Sequence, residues 1–340
     1  MRRRPGRERR TAAAHVDMTA RVGTVVLPNP VMTASGTAGH GAELGAYFDL
    51  SALGAVVVKS LSVEPWAGNA APRLFPAAAG MLNSVGLQNP GVVAWLKEDL
   101  PALGRARARV VVSVWGRSAA DYAAVGRQLG EAFSGGPGPV VALEANISCP
   151  NIEDRERMFA HSADSTGAAL SALSEAVAGT GLPVWAKLSP NVTDLVAIAG
   201  AALASGASGL TLVNTLMGLA LDPATARPQL GAGGGGLSGP ALHPVAVRAV
   251  YECRHAFPGT AIVGVGGVSS GYDAAELICA GADAVQVGTA TFVDPRAALR
   301  VVAQLRDWCA GAGLTSVSQL ASSAHRAAAT PGRETVTRPE

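Results

Sequence analysis

Eight short apolar runs, alternating with Ala-rich stretches, constrain this chain more than any other feature. They read as strands over residues 31–36, 55–60, 109–116, 140–148, 183–189, 209–215, 261–267 and 284–291. Helical patterns over 118–132, 166–179, 193–205, 241–257, 272–280 and 295–310 lie between them. A strand that is apolar along its whole length is buried on both faces, and strands alternating with helices signal a parallel sheet. Eight such units in 340 residues predict a single-domain (β/α)8 TIM barrel, with its active site at the C-terminal rim of the strands. An open doubly wound sheet is the alternative, but the first strand is not followed by a dinucleotide fingerprint. Residues 22–27 read as a small hairpin closing the barrel bottom.

Three strand-to-helix connections are long: residues 61–90, 149–165 and 216–239. Long loops in a compact domain are usually functional, and these three all leave the C-terminal ends of strands. Aromatic residues make up only 4 % of the chain, so the core is expected to rest on Ala, Val and Leu. The net charge is +2, yet residues 1–10 alone hold six Arg against one Glu. The body is therefore not basic, which argues against a nucleic-acid surface. Residues 1–17 read as a disordered Arg-rich arm, with Met18 opening what looks like an ordinary start. No apolar stretch follows the arginines, so a secretory leader or membrane anchor is not expected. The organisation expected is thus an arm (1–17), a barrel (18–315) and a partly disordered tail (316–340). The four cysteines, Cys149, Cys253, Cys279 and Cys309, form no paired motif. No metal site is expected, and a reducing, cytoplasmic setting fits them best.

The chemistry-bearing residues gather at the strand ends. Gly264-Val265-Gly266-Gly267 and Gly288-Thr289 end the seventh and eighth runs, where this barrel commonly binds phosphate. The Gly-rich stretch 232–236 lacks the Lys-Ser/Thr of a nucleotide loop and reads as a flexible connection. Lys59 and Lys187 each end an otherwise apolar run. An ammonium there makes sense when it points into a polar site and offsets negative charge. Asn83, Asn146, Asn151, Asn214 and Asn191 sit at or near strand ends, and a carboxamide matches the edge of a cyclic amide. Cys149 lies in Asn146-Ile147-Ser148-Cys149-Pro150-Asn151, at the end of the fourth run. Alone it reads as structural; with no Ser-His-Asp order and no paired carboxylates, the chemistry points to a thiol or a cofactor.

These motifs resemble the class 1 dihydroorotate dehydrogenases, most closely the class 1B catalytic subunit. The resemblance runs from Asn29 to Pro295 through Ala34-Ser35-Gly36, Val58-Lys59-Ser60, the stretch from Asn83 to Pro90, and the Cys149 motif. It continues through Lys187-Leu188-Ser189-Pro190-Asn191, Val213-Asn214-Thr215, Gly236-Leu237-Ser238-Gly239, Gly266-Gly267 and Gly288-Thr289. It implies FMN at the barrel top, with its phosphate on Gly266, Gly267, Gly288 and Thr289. Ser35, Gly36, Lys59, Ser60, Ser113, Asn146, Lys187, Val213 and Gly239 would hold the rest of the flavin. Dihydroorotate or orotate would lie against Lys59, Asn83, Ser84, Val85, Gly86, Leu87, Asn146, Asn151, Asn214 and Thr215. Cys149 would be the catalytic base, with Lys59 the other catalytic residue. The implied activity is oxidation of dihydroorotate to orotate in pyrimidine biosynthesis. A homodimer is implied, or a heterotetramer with an FAD and [2Fe–2S] subunit that passes electrons to NAD. A reductase of free pyrimidine bases shares part of the pattern, and a barrel that binds flavin without turnover is the non-enzymatic alternative. Two departures stand out. Ser113 occupies a position where the family usually has Asn, and the loop after Asn151 reads Ile-Glu-Asp-Arg-Glu-Arg, more charged than usual.

Overall fold

The computed structural model describes residues 16–148, 150–151 and 157–328. Most of the Arg-rich arm, Cys149, the charged loop after Asn151 and the end of the tail lie outside the described residues. The eight runs form eight parallel strands: β1 (Val31–Thr33), β2 (Val56–Val57), β3 (Val110–Val114), β4 (Val140–Asn146), β5 (Val184–Leu188), β6 (Gly209–Leu212), β7 (Ala261–Val265) and β8 (Ala284–Val287). Each pairs with its neighbours in the chain, β8 pairs with β1, and a parallel bridge between Met32 and Ala55 joins β1 to β2. The result is the (β/α)8 barrel expected. Most strands stop sooner than the apolar runs suggest. The residues that follow them leave the ladder and turn towards the rim, as at Gly288, after which the short helix Ala290–Val293 begins.

Inward-facing side chains divide the barrel interior into two zones. At the bottom, Met32, Val57, Val111, Ala142, Trp185, Val263 and Ala284 form one apolar cluster. Val22 and Leu27 from the hairpin Ala20–Val22/Val25–Leu27 plug it from below. Two residues further along several of these strands the interior turns polar, at Ser113, Glu144, Lys187 and Gln286, all buried. A period of two along a strand keeps these residues on the same inner face.

The outer ring follows from helix-start chemistry. Ser118 and Ser270 form capping boxes with Asp121 and Asp273, and Asp194 caps Leu195–Ala204. Such caps satisfy the free N–H groups of a first turn. The helix Val92–Arg105 carries Pro101 inside it and escapes the sequence pattern for that reason. The body continues past residue 315: Asp17 pairs with Ser316, and Val317 and Leu320 are buried.

The first and third long connections meet over the barrel mouth. Leu74–Ala77, Gly80–Asn83, Gly235–Ser238 and Leu216–Gly218 form one antiparallel sheet. The Gly-rich stretch is therefore not a flexible connection. Gly235 and Gly236 are buried within this sheet, where a Cβ on Gly236 would occupy the place of the Thr215 hydroxyl. Glycine here allows close packing of a strand against the Thr215 turn. Among the described residues no helix is long and apolar enough to cross a membrane.

Candidate active site

A cavity of about 910 Å³ opens at the C-terminal ends of the strands, beneath the rim sheet. That is at the upper end of the roughly 300–1,000 Å³ usual for ligand pockets. Its floor is set by Lys187, which reaches across the barrel from β5. The ammonium lies 3.5 Å from Glu144 Oε1 and donates to Ser35 Oγ at 3.1 Å and to Gln286 Oε1 at 3.5 Å. Gln286 in turn donates to Glu144 Oε2 at 2.8 Å. Three strands thus share one buried polar cluster, and its single cation faces the cavity.

A chain of carboxamides and hydroxyls lines another wall. Asn214 donates to Asn146 Oδ1 at 3.1 Å, Asn146 donates to Ser60 Oγ at 3.1 Å, and Ser60 and Ser113 share a bond of 2.9 Å. The rim sheet adds Asn83, which donates to the carbonyl of Gly236 at 3.2 Å. Ser84 lies beside it with a buried hydroxyl that has no partner among the described residues. An unpartnered buried hydroxyl costs free energy, and Ser84 is one of the residues that line the cavity. Lys59 is half-buried in the same wall. Burial pushes its pKa below the ordinary lysine value, and the nearby positive charge of Arg73 lowers it further.

The glycine turns after β7 and β8 form the opposite corner. Gly266, Gly267, Gly288 and Thr289 all line the cavity. Neither the Gly267 N–H nor the Thr289 N–H has an acceptor among the described residues. Free N–H groups that converge on a cavity suit an anion.

A family model described as dihydroorotate dehydrogenase matches residues 18–308, and with it the whole barrel and every wall of the cavity. The chain belongs to the dihydroorotate dehydrogenase family. Among curated relatives, one from Alkaliphilus metalliredigens is 46 % identical over 84 % of this chain and 92 % of its own length. One from Desulforudis audaxviator is 46 % identical over 89 % of this chain and 95 % of its own. One from a Geobacter species is 42 % identical over 89 % and 97 %. All three are named dihydroorotate dehydrogenase B (NAD(+)), catalytic subunit.

Nearly all the residues singled out from the sequence line this one cavity of a dihydroorotate dehydrogenase barrel: Ser35, Gly36, Lys59, Ser60, Asn83 to Leu87, Asn146, Lys187, Val213 to Thr215, Gly239 and the four residues of the glycine turns. Ser113 does not reach it, being buried behind Ser60. Asn191 belongs to the loop scaffold, donating to Ser189 Oγ and Thr215 O and accepting from Met217 N. Cys149 and the Asn151 side chain lie outside the described residues, although Ser148 lines the cavity. Sequence reasoning missed Glu144 and Gln286. The signal was present: each is a single polar residue inside an apolar run, the same argument that picked out Lys59 and Lys187.

Proposed function

We propose that this chain oxidises dihydroorotate to orotate with FMN bound at the barrel mouth, and that a separate subunit carries the electrons to NAD(+). One observation carries the reading: a single cavity joins a corner of free N–H groups to a wall of carboxamides and hydroxyls, with a buried lysine at its floor. A flavin phosphate suits the first, the amide edge of a pyrimidine the second, and a site of accumulating negative charge the third. The N–H groups of Gly267 and Thr289, without an acceptor among the described residues, are what a cavity built around an anion presents.

In this reading the N–H groups of the turns at Gly266–Gly267 and Gly288–Thr289 hold the FMN phosphate. Ser35, Gly36, Ser60, Lys187, Val213 and Gly239 hold the rest of the cofactor, with Ser113 acting through Ser60. When bound, FMN supplies the hydride acceptor for C6 of dihydroorotate. The chain supplies the remaining chemistry. Lys59 pairs with the substrate carboxylate, and Asn83, Ser84, Asn146, Asn151, Asn214 and Thr215 bind the ring, with the backbone of Val85 to Leu87 beside it. Cys149 takes the proton from C5; a thiol with a pKa of about 8.5 does this as its thiolate. Lys187 holds positive charge at the floor, and Glu144 and Gln286 fix where that charge sits. The relatives' names speak of a catalytic subunit, and a partner bearing FAD and a [2Fe–2S] cluster, on a homodimer of this chain, completes the proposal.

The test is anaerobic. Dihydroorotate should bleach the flavin of the purified chain within the mixing time of a turnover experiment, while dihydrouracil should not. Protein that is isolated without flavin and cannot be loaded, or that is bleached only by dihydrouracil, overturns the reading.

A further inference from the structure

We infer that His243 is a positioning residue for the phosphate corner: it ties the carbonyl of Gly266 away from the cavity, so that the N–H of Gly267 faces into it. The inference rests on the flavin reading and adds to it a residue that does not touch the ligand.

His243 opens the helix His243–Ala256. Its Nδ1 lies 2.8 Å from the Gly266 carbonyl oxygen, and its Nε2 lies 3.2 Å from Glu276 Oε2 on the helix Gly271–Ala280. A carbonyl can only accept, so Nδ1 donates. Gly266 and Gly267 line the cavity and His243 does not, so the carbonyl is held on the side away from the ligand space. The peptide between the two glycines is trans, the cis bonds of the chain being elsewhere. In a planar trans peptide the C=O and the following N–H point in opposite directions. Fixing the carbonyl outward therefore turns the Gly267 N–H inward, where it has no other acceptor among the described residues.

The glycines make this contact possible. Gly266 and Gly267 have φ of +143° and +68°, and a Cβ on Gly267 would lie 2.7 Å from His243 Cβ. The imidazole and the glycine pair thus form one construction: bare backbone lets the ring come close, and the ring chooses which way the peptide faces. Without the ring the peptide is free to rotate, and a carbonyl turned inward would repel an anion.

The experiment compares FMN with riboflavin, which shares the ring system and lacks the phosphate, on the full chain. His243→Leu should weaken FMN binding about tenfold or more, in line with losing an aligned hydrogen bond to an anion, and leave riboflavin binding unchanged. His243→Asn, whose carboxamide can donate from near the Nδ1 position, should restore most of the FMN affinity. Glu276 is partly exposed, so Glu276→Ala leaves the fold intact and should give a few-fold loss confined to FMN, which keeps the idea testable should His243→Leu not fold. Wild-type FMN affinity in His243→Leu, equal losses for the two flavins, or no recovery in His243→Asn each overturn it. A wild-type chain that binds neither flavin brings down the flavin reading and this inference together, whereas one that binds FMN regardless of residue 243 brings down the inference alone.

Discussion

Glu144 and Lys187 stand on adjacent strands of the barrel, 3.5 Å apart and buried, with Gln286 bonded to both. Taking either charge out of water is costly, and the pair offsets that cost only while both partners are present. Lys187→Met leaves the buried carboxylate without its counter-charge and should cost about 3–5 kcal/mol of unfolding free energy. Glu144→Gln should cost a similar amount by stranding the ammonium. The double substitution should cost less than the sum of the two. Chemical denaturation of the four proteins checks this, and strict additivity would rule out the coupling.

The carboxamide chain predicts how the substrate wall fails. Asn214 donates to Asn146, and Asn214 Oδ1 accepts from Thr215 N at 2.8 Å. Removing the Asn214 side chain deletes both bonds and, in the proposed complex, leaves the polar edge of the substrate ring without a partner, which costs roughly 1–3 kcal/mol. Asn214→Ala should therefore raise the KM for dihydroorotate by roughly ten- to a hundredfold while flavin stays bound. Steady-state kinetics beside a flavin spectrum separates these two effects.

Lys59 should set an alkaline limit if it pairs with the substrate as proposed. Its pKa is pushed down first by burial and then by Arg73, so it loses its proton at a lower pH than an exposed lysine, which titrates near ~10.4. KM for dihydroorotate should rise as pH climbs through this lowered value, and Arg73→Gln should move that rise to higher pH. The stability effect has a definite sign. Between the folded and unfolded pKa values the unfolded chain holds a proton that the folded chain has released, so the contribution of Lys59 to stability grows with pH across that window. A KM profile that Arg73→Gln leaves in place would remove the electrostatic link.

The thiols should divide by reactivity. Burial, aided by Glu252, pushes Cys253 up to about 12. Burial, aided by Cys279, pushes Cys309 up to about 11. At pH 8 both remain protonated and covered, and iodoacetamide should leave them unmodified in the native chain. Cys149 should be alkylated in step with loss of flavin reduction, and orotate should protect it. Cys149→Ala should retain flavin and slow its reduction about 10²–10⁴-fold. Mass spectrometry and stopped-flow bleaching read the two halves of this prediction.

How much of the molecule was legible in sequence depended on the range of the interaction involved. The strands were legible because two-sided burial writes itself as an unbroken apolar run, as in Val110–Val114. The cavity residues were legible where a polar group interrupts such a run at its end. Glu144 and Gln286 interrupt theirs earlier, and only the assembled barrel shows that they meet Lys187. The rim sheet was not legible at all. Its strands are short, Pro- and Gly-containing, and paired across long separations, with Asn83 and Gly236 lying 153 positions apart. Nothing local distinguishes such a segment from a loop. Asn191 misled for a related reason: an Asn at a strand end serves a turn as readily as a ligand.

The rim sheet also bears on how the protein is made. Its strands come from two connections far apart in the chain, and the cavity below draws residues from Ala34 to Arg300. During synthesis, which proceeds from the N-terminus at about 5–20 residues per second, the first half of the barrel is complete while the glycine corner has not yet been translated. A ligand spanning this cavity can be captured only by a chain that is almost finished. Loading is thus a late event, and a truncated product should carry the Asn83 end of the site with nothing to anchor a cofactor beside it.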